Sequence, residues 1–221
     1  MTVQDDSREN ELIQLFNLER LANSTRSGTD AILTLNSLII PFELKSTTKT
    51  SVTTVRDFGL EHIKKWRGQH WLFGFYEKGG KTLKYCLYAF PKMMAPWISE
   101  KLAYVALDYK LSQLIPELIS ISLLYEIVGE KEVYTLADAQ SLQKRQYTIQ
   151  EYQNKMDLEF GYSAERMLLI LRDRCQYLIE RGSTLNNPHI PASYFKGWER
   201  IITNHAQRLR ELVTKTIQEN T

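Results

Sequence analysis

Hydrophobic and polar positions along the chain change period several times, and the changes outline the elements. Asp6-Ser7-Arg8-Glu9 has the form of a capping box, and an apolar stripe of Leu12, Leu15, Phe16 and Ala22 follows at helical spacing. That predicts a first helix running to about Ala22. Residues 23–29 form a polar loop rich in turn formers. Two strands, 31–35 and 38–45, are then joined by Asn36-Ser37, with Pro41 predicting a bulge or an edge. A helix over about 55–66 precedes two aromatic strands, 70–76 and 82–90, whose Lys78-Gly79-Gly80-Lys81 connection is a hairpin signal. From Pro91 onward the spacing predicts helices over about 92–104, 112–127, 136–155, 164–181 and 191–218. Thr135 and Ser163 fall at N-cap positions, Gly182 after a C-terminus and Pro191 in a first turn. The fold class expected is mixed α/β, a central four-stranded mixed sheet flanked by helices, with a largely α-helical C-terminal half. The division expected is residues 1–105 as the core and 106–221 as a helical elaboration.

Several polar positions interrupt these apolar patterns. Side chains alternate along a strand, so Glu43 and Lys45 share one face while Phe42 and Leu44 point to a core. Asp30 opens the same hairpin. Glu19 falls on the stripe of the first helix, where a carboxylate either meets a metal, cation or donor or snorkels to water beside Arg20 or Arg26. Phe195, Trp198, Ile202, His205, Leu209 and Val213 line one face of the last predicted helix, which makes His205 a core histidine before it is a catalyst.

Composition narrows the classes. A chain of 221 residues with 43% hydrophobic and 24% charged residues has the make-up of a soluble globular protein. Cys86 and Cys175 lie far apart, with neither a CxxC spacing nor His neighbours, so free thiols in a reducing compartment are expected. The acidic start MTVQDDSREN is not a signal peptide, and the apolar region 111–128 is interrupted by Pro116, Glu117 and Glu126. These features predict a cytoplasmic protein without a membrane span. Net charge is only +2, but basic residues concentrate between Leu44 and Lys92, after an acidic N-terminal stretch. Such a run suits a polyanion laid across it, or equally a solvated lysine-rich face. Residues 46–54 are mostly Ser and Thr, which are phosphate-oxygen donors or an ordinary polar loop.

The bare acid-x-Lys triplet is no rarer than chance, and it occurs twice, as Glu43-Leu44-Lys45 and Asp108-Tyr109-Lys110. The second lies between helical segments without a strand-borne partner acid. The first has one. With Asp30 opening the hairpin and Glu43 and Lys45 returning on its second strand, residues 6–97 resemble the PD-(D/E)XK nuclease superfamily, which includes most type II restriction endonucleases. Thr29 stands where the motif's name has proline. The resemblance implies a restriction-endonuclease-like core, with Asp30, Glu43, Lys45 and a helix-borne Glu19 as catalytic residues. It implies Mg²⁺ on Asp30, Glu43 and the Leu44 carbonyl, double-stranded DNA as substrate, a homodimer, and 5′-phosphate products. Lys49, Thr47, Thr48, Arg56, Lys64, Lys65 and Arg67 are the expected DNA contacts, and the C-terminal helices a DNA clamp or a dimerisation element. No nucleotide cofactor is expected.

Two rival readings stay open. One is a structure-directed DNA repair nuclease of the same superfamily. The other is a non-catalytic helical binding protein in which Glu43 and Lys45 form only an ion pair. A glycine-rich phosphate loop, a nucleophile elbow and an HExxH motif are all absent from the sequence.

Overall fold

A computed structural model describes residues 3–20, 28–55 and 58–219, with side chains of the first helix from Ser7. By compactness the chain divides into residues 1–102 with 185–221, and residues 103–184. The segment 185–221 thus packs with the sheet, whereas the sequence pattern groups it with the other C-terminal helices.

In the first unit, helix α1 (Val3–Phe16) precedes the hairpin β1 (Ala31–Leu35) and β2 (Leu38–Thr47). The short β3 (Val52–Thr53) and helix α2 (Leu60–Trp66) lead to β4 (His70–Tyr76) and β5 (Leu83–Ala89). The sheet order is β1-β2-β4-β5. β2 runs parallel to β4, and the other two pairings are antiparallel. The expected central mixed sheet of four strands is therefore present. Asn36 and Ser37 take φ of 49° and 66°, the two left-handed residues that a tight primed turn needs between twisted strands.

Pro41 sits opposite Ile32 without a bulge. Ile32 gives both its backbone groups to Glu19, so Ile32–Pro41 is the kind of pair that exchanges no hydrogen bonds. On its other side the β2–β4 ladder begins only at Phe42, and no donor is required of the proline there either.

One face of the sheet carries Phe42, Leu44, Leu72 and Cys86. It packs on Leu12 and Phe16 of α1 and on Leu209 and Val213 of α8 (His205–Glu219), and Ile201, whose backbone bridges Cys86, joins the same core. The opposite face carries Trp71, Phe73 and Phe75, met by Trp66 of α2 and by Phe195 and Trp198. Burying side chains of this size supplies the main driving force for the unit. Glu43, Lys45 and Thr47 stand on the second face, as strand alternation requires.

Several predicted boundaries change. α1 ends at Phe16, not near Ala22, because Asn17 turns left-handed (φ 49°) and Leu18 N–H bonds back to the Ile13 carbonyl, a helix-terminating pattern. α3 (Pro91–Leu114) runs on through Tyr104, and Pro116 then breaks the chain into a short 3-10 turn before Ser120 caps α4 (Ile121–Val128). Lys144 and Arg145, both at positive φ, separate α5 (Leu136–Gln143) from α6 (Ile149–Lys155), and Thr148 with Glu151 forms the capping box that restarts the helix. The predicted last helix is a 3-10 turn at Ala192–Phe195, the bridging residue Ile201 and then α8. Phe195 and Trp198 thus share the aromatic layer, while His205 packs edge-on against Phe16.

In the second unit α7 (Ala164–Gly182) is the common partner of α4 and α5. Its core is Leu124, Tyr134, Ala139, Tyr152, Tyr162, Met167 and Ile170. Thr135 and Ser163 cap α5 and α7 as the sequence predicts. Both cysteines are free; Cys86 is buried and Cys175 half-buried. Among the described residues no single helix is long and apolar enough to cross a membrane.

Candidate functional site

The site grows from the point where β1 begins. β2 is longer than its partner, so Leu44 has no β1 residue to take its N–H. Asp30, the residue before β1, fills that place: its Oδ2 accepts the Leu44 N–H at 2.8 Å. The hydrogen bond fixes one carboxylate beside the two residues that flank Leu44 and share the other face of β2, Glu43 and Lys45.

Lys45 Nζ lies 2.6 Å from Glu43 Oε1 and 3.9 Å from Asp30 Oδ2. A second ammonium mirrors it from α2. Lys65 Nζ lies 2.8 Å from Glu43 Oε2 and 3.9 Å from Asp30 Oδ1. Two carboxylates and two ammonium groups therefore alternate in one buried cluster. Only 3% of the Glu43 side chain is exposed, and the lysines and Asp30 show between 17% and 20%. An isolated charge so far from water would be costly, and here each charge has two opposite neighbours.

The two acids are electrostatically different. Burial pushes the Asp30 carboxyl above its usual range, against the pull of Lys45 and the Leu44 N–H. Burial acts on Glu43 the same way, but Lys45 and Lys65 together outweigh it and hold that carboxyl below its usual range. Lys45 loses favour through burial and regains more from Glu43 and Asp30, which leaves its pKa raised and the side chain charged. Divergent environments for neighbouring carboxylates are a frequent mark of functional sites.

A cleft of about 460 Å³ opens beside Lys45, lined by Glu9, Leu44, Ser46, Thr53, Thr54 and Asn187 among others. Glu9 of α1 also acts on the charge of Lys45. The helix-borne glutamate near the site is thus Glu9 and not Glu19. With α1 ending at Phe16, Glu19 lies in extended chain bridged to Ile32 and is exposed. Glu9 stands one turn before Leu12 on the same helix, a spacing visible in the sequence but masked by the expected longer stripe.

Of the expected DNA contacts, Thr48, Lys49, Lys64 and Arg67 are exposed, with Lys64 2.8 Å from Glu61. Thr47 is turned inward: its hydroxyl donates to the Ser51 carbonyl and accepts from Lys49 N–H, closing the turn after β2. Lys65 belongs to the acid cluster. Arg56 lies outside the described residues. Asp108-Tyr109-Lys110 falls within α3, away from any strand.

Gln69 is a further polar residue that the sequence pattern leaves unmarked. It is 3% exposed, its Nε2 donates to the Thr29 hydroxyl beside Asp30, and its Oε1 is buried without a partner among the described residues. A hard cation such as Mg²⁺ takes carboxylate, carbonyl and water oxygens. Asp30 and Glu43 supply two carboxylates. The Leu44 carbonyl faces the same edge as its N–H, as in any extended residue. Gln69 Oε1 is an available oxygen close to Thr29. The donor set fits such a cation in kind, although among the described residues no group of three or more His, Cys, Asp or Glu gathers in one place.

The sequence matches no protein-family model and no curated protein.

Proposed function

We propose that the protein is a Mg²⁺-dependent DNA endonuclease with a restriction-endonuclease-like core, of the type II site-specific kind. The observation that carries this reading is the convergence of Asp30, Glu43 and Lys45 on one face of β2, held by the bond from Leu44 N–H to Asp30. Asp30 and Glu43, with the Leu44 carbonyl, would hold the cation. When bound, Mg²⁺ supplies polarisation of the scissile phosphate and a lowered pKa for the attacking water.

The remaining work belongs to side chains. Lys45, kept charged by its two acids, orients the nucleophile and offsets negative charge that grows on the phosphate. Ser46, Thr53, Thr54 and Asn187 offer hydroxyls and an amide to backbone oxygens along the adjoining cleft. Lys49, Thr48 and Arg67 are exposed cations and a hydroxyl for more distant phosphates. Action on both strands of a duplex is expected from a homodimer in the cytoplasm.

The test is digestion of a mixed-sequence plasmid with Mg²⁺ and with EDTA, followed by end mapping. Discrete fragments with 5′-phosphate ends, formed only with Mg²⁺, are expected. Cutting restricted to nicks, mismatches or junctions would move the protein to structure-directed repair. No metal-dependent cutting across plasmids of varied sequence would leave the ion cluster a purely structural feature of a binding protein.

A further inference from the structure

The four oxygens of the acid pair are not equally occupied. Asp30 Oδ2 already accepts the Leu44 N–H, and Lys45 spans it and Glu43 Oε1. The other two oxygens, Asp30 Oδ1 and Glu43 Oε2, are spanned by Lys65. Lys45 is fixed in a strand paired on one side with β4 and bonded on the other to Asp30. Lys65 comes from α2, a helix of seven residues anchored by the buried Ile63 and Trp66. The pair of oxygens free of the Leu44 hydrogen bond is therefore the pair met by the ammonium from α2, which lies outside the β2 ladder.

We propose that Lys65 competes with the divalent cation for Asp30 Oδ1 and Glu43 Oε2, acting as a resident counter-ion that must leave this pair when the cation binds. The inference rests on the nuclease reading of the site. Its physical basis is charge balance. Asp30, Glu43, Lys45 and Lys65 together carry no net charge, so a doubly charged ion added to the intact cluster would meet two cations already beside its two carboxylates. Removal of Lys45 from Glu43 would break the 2.6 Å contact on the side where Asp30 is also committed. Removal of Lys65 exposes the other side and leaves the Leu44–Asp30 bond intact. Lys65 is thus a positioning residue that lowers cation affinity and makes loading conditional.

The test is Mn²⁺ binding to the full-length protein, followed by electron paramagnetic resonance, without DNA and without reading activity. Lys65→Gln is expected to bind Mn²⁺ about tenfold more tightly than wild type, the scale on which residues around a metal site tune affinity. Lys65→Arg, which keeps the charge, is expected to stay within about twofold of wild type, well short of that tenfold scale. Equal or weaker binding by a folded Lys65→Gln, with wild type binding normally, overturns the competition and leaves the nuclease reading standing. Absence of Mn²⁺ binding in wild type, Lys65→Gln and Lys65→Arg alike overturns the nuclease reading and the competition together. Thermal unfolding of Lys65→Gln with and without Mn²⁺ checks folding and gives a second readout: its midpoint should rise with the ion more than that of wild type.

Discussion

Asp30 completes the β2 ladder with its side chain, taking the Leu44 N–H that β1 is too short to reach. One hydrogen bond therefore serves both architecture and chemistry. It ends the hairpin cleanly and pins a carboxylate next to Glu43.

Burial raises the pKa of Asp30, so its ionised form is disfavoured in the folded chain. The sign follows from linkage. A raised folded pKa contributes stability below the unfolded value, and that contribution is lost as pH rises through the folded value. Asp30→Asn, which keeps an oxygen for Leu44, should be more stable than wild type at pH 7 by about 1 kcal/mol, a few degrees in Tm. The gap should close as pH falls towards 4 and below. Thermal unfolding across pH checks it, and an Asp30→Asn variant less stable than wild type at pH 7 would contradict it.

His70 gives an opposite and independent pH signal. Burial pushes its imidazole from 6.5 down to about 4, and its Nδ1 lies 2.7 Å from the Tyr88 hydroxyl. A depressed folded pKa means the unfolded chain binds the proton first, so stability is full above about pH 6.5 and declines as pH falls towards 4. The loss should approach about 3 kcal/mol. Denaturant titrations of wild type and His70→Gln between pH 7 and 4 should show this slope in wild type and a flatter one in the variant.

Replacing Glu19 should leave cleavage within about twofold of wild type, because surface substitutions away from special features change little. Glu9→Gln should lower cleavage by about tenfold, since Glu9 lines the cleft and acts on Lys45. Comparing the two single variants under the same Mg²⁺ concentration tells which glutamate belongs to the site. A large loss for Glu19 with none for Glu9 would reverse the assignment.

Gly161 meets the Tyr134 backbone in the helical unit. A Cβ there would overlap the Tyr134 carbonyl oxygen, and the corner is held by bridges from Tyr134 to Tyr162 and from Gly161 to Leu158. Gly161→Ala should destabilise this unit by about 1–3 kcal/mol, measurable by denaturant unfolding. An unchanged midpoint would contradict the close approach.

Much of the first unit was legible because its signals are local. Period-two alternation placed Glu43 and Lys45 on one face, and the Lys78–Lys81 turn marked the second hairpin. Lys65 was marked only as a DNA contact and Gln69 not at all, because only tertiary packing brings Lys65 to Asp30 and Glu43 and Gln69 to Thr29, all far earlier in the chain. Glu19 misled for a local reason: an apolar residue at Ala22 extended the stripe past Asn17, whose left-handed backbone leaves no pattern in hydrophobicity. The same holds at Lys144 and Arg145, where residues other than glycine take positive φ and split what reads as one long helix. The C-terminal segment gave helical periodicity throughout. Its aromatic residues, Phe195 and Trp198, instead answer to the sheet.

Whether this corner of the sheet is catalytic is decided by Lys45→Ala on supercoiled plasmid, in Mg²⁺ and in EDTA, with folding checked by circular dichroism. Wild type should cut only with Mg²⁺, and the variant should be slower by about 10²–10³-fold, the usual loss of one charge-stabilising donor. Unchanged cutting by a folded Lys45→Ala would contradict the assignment of Asp30, Glu43 and Lys45 as the site.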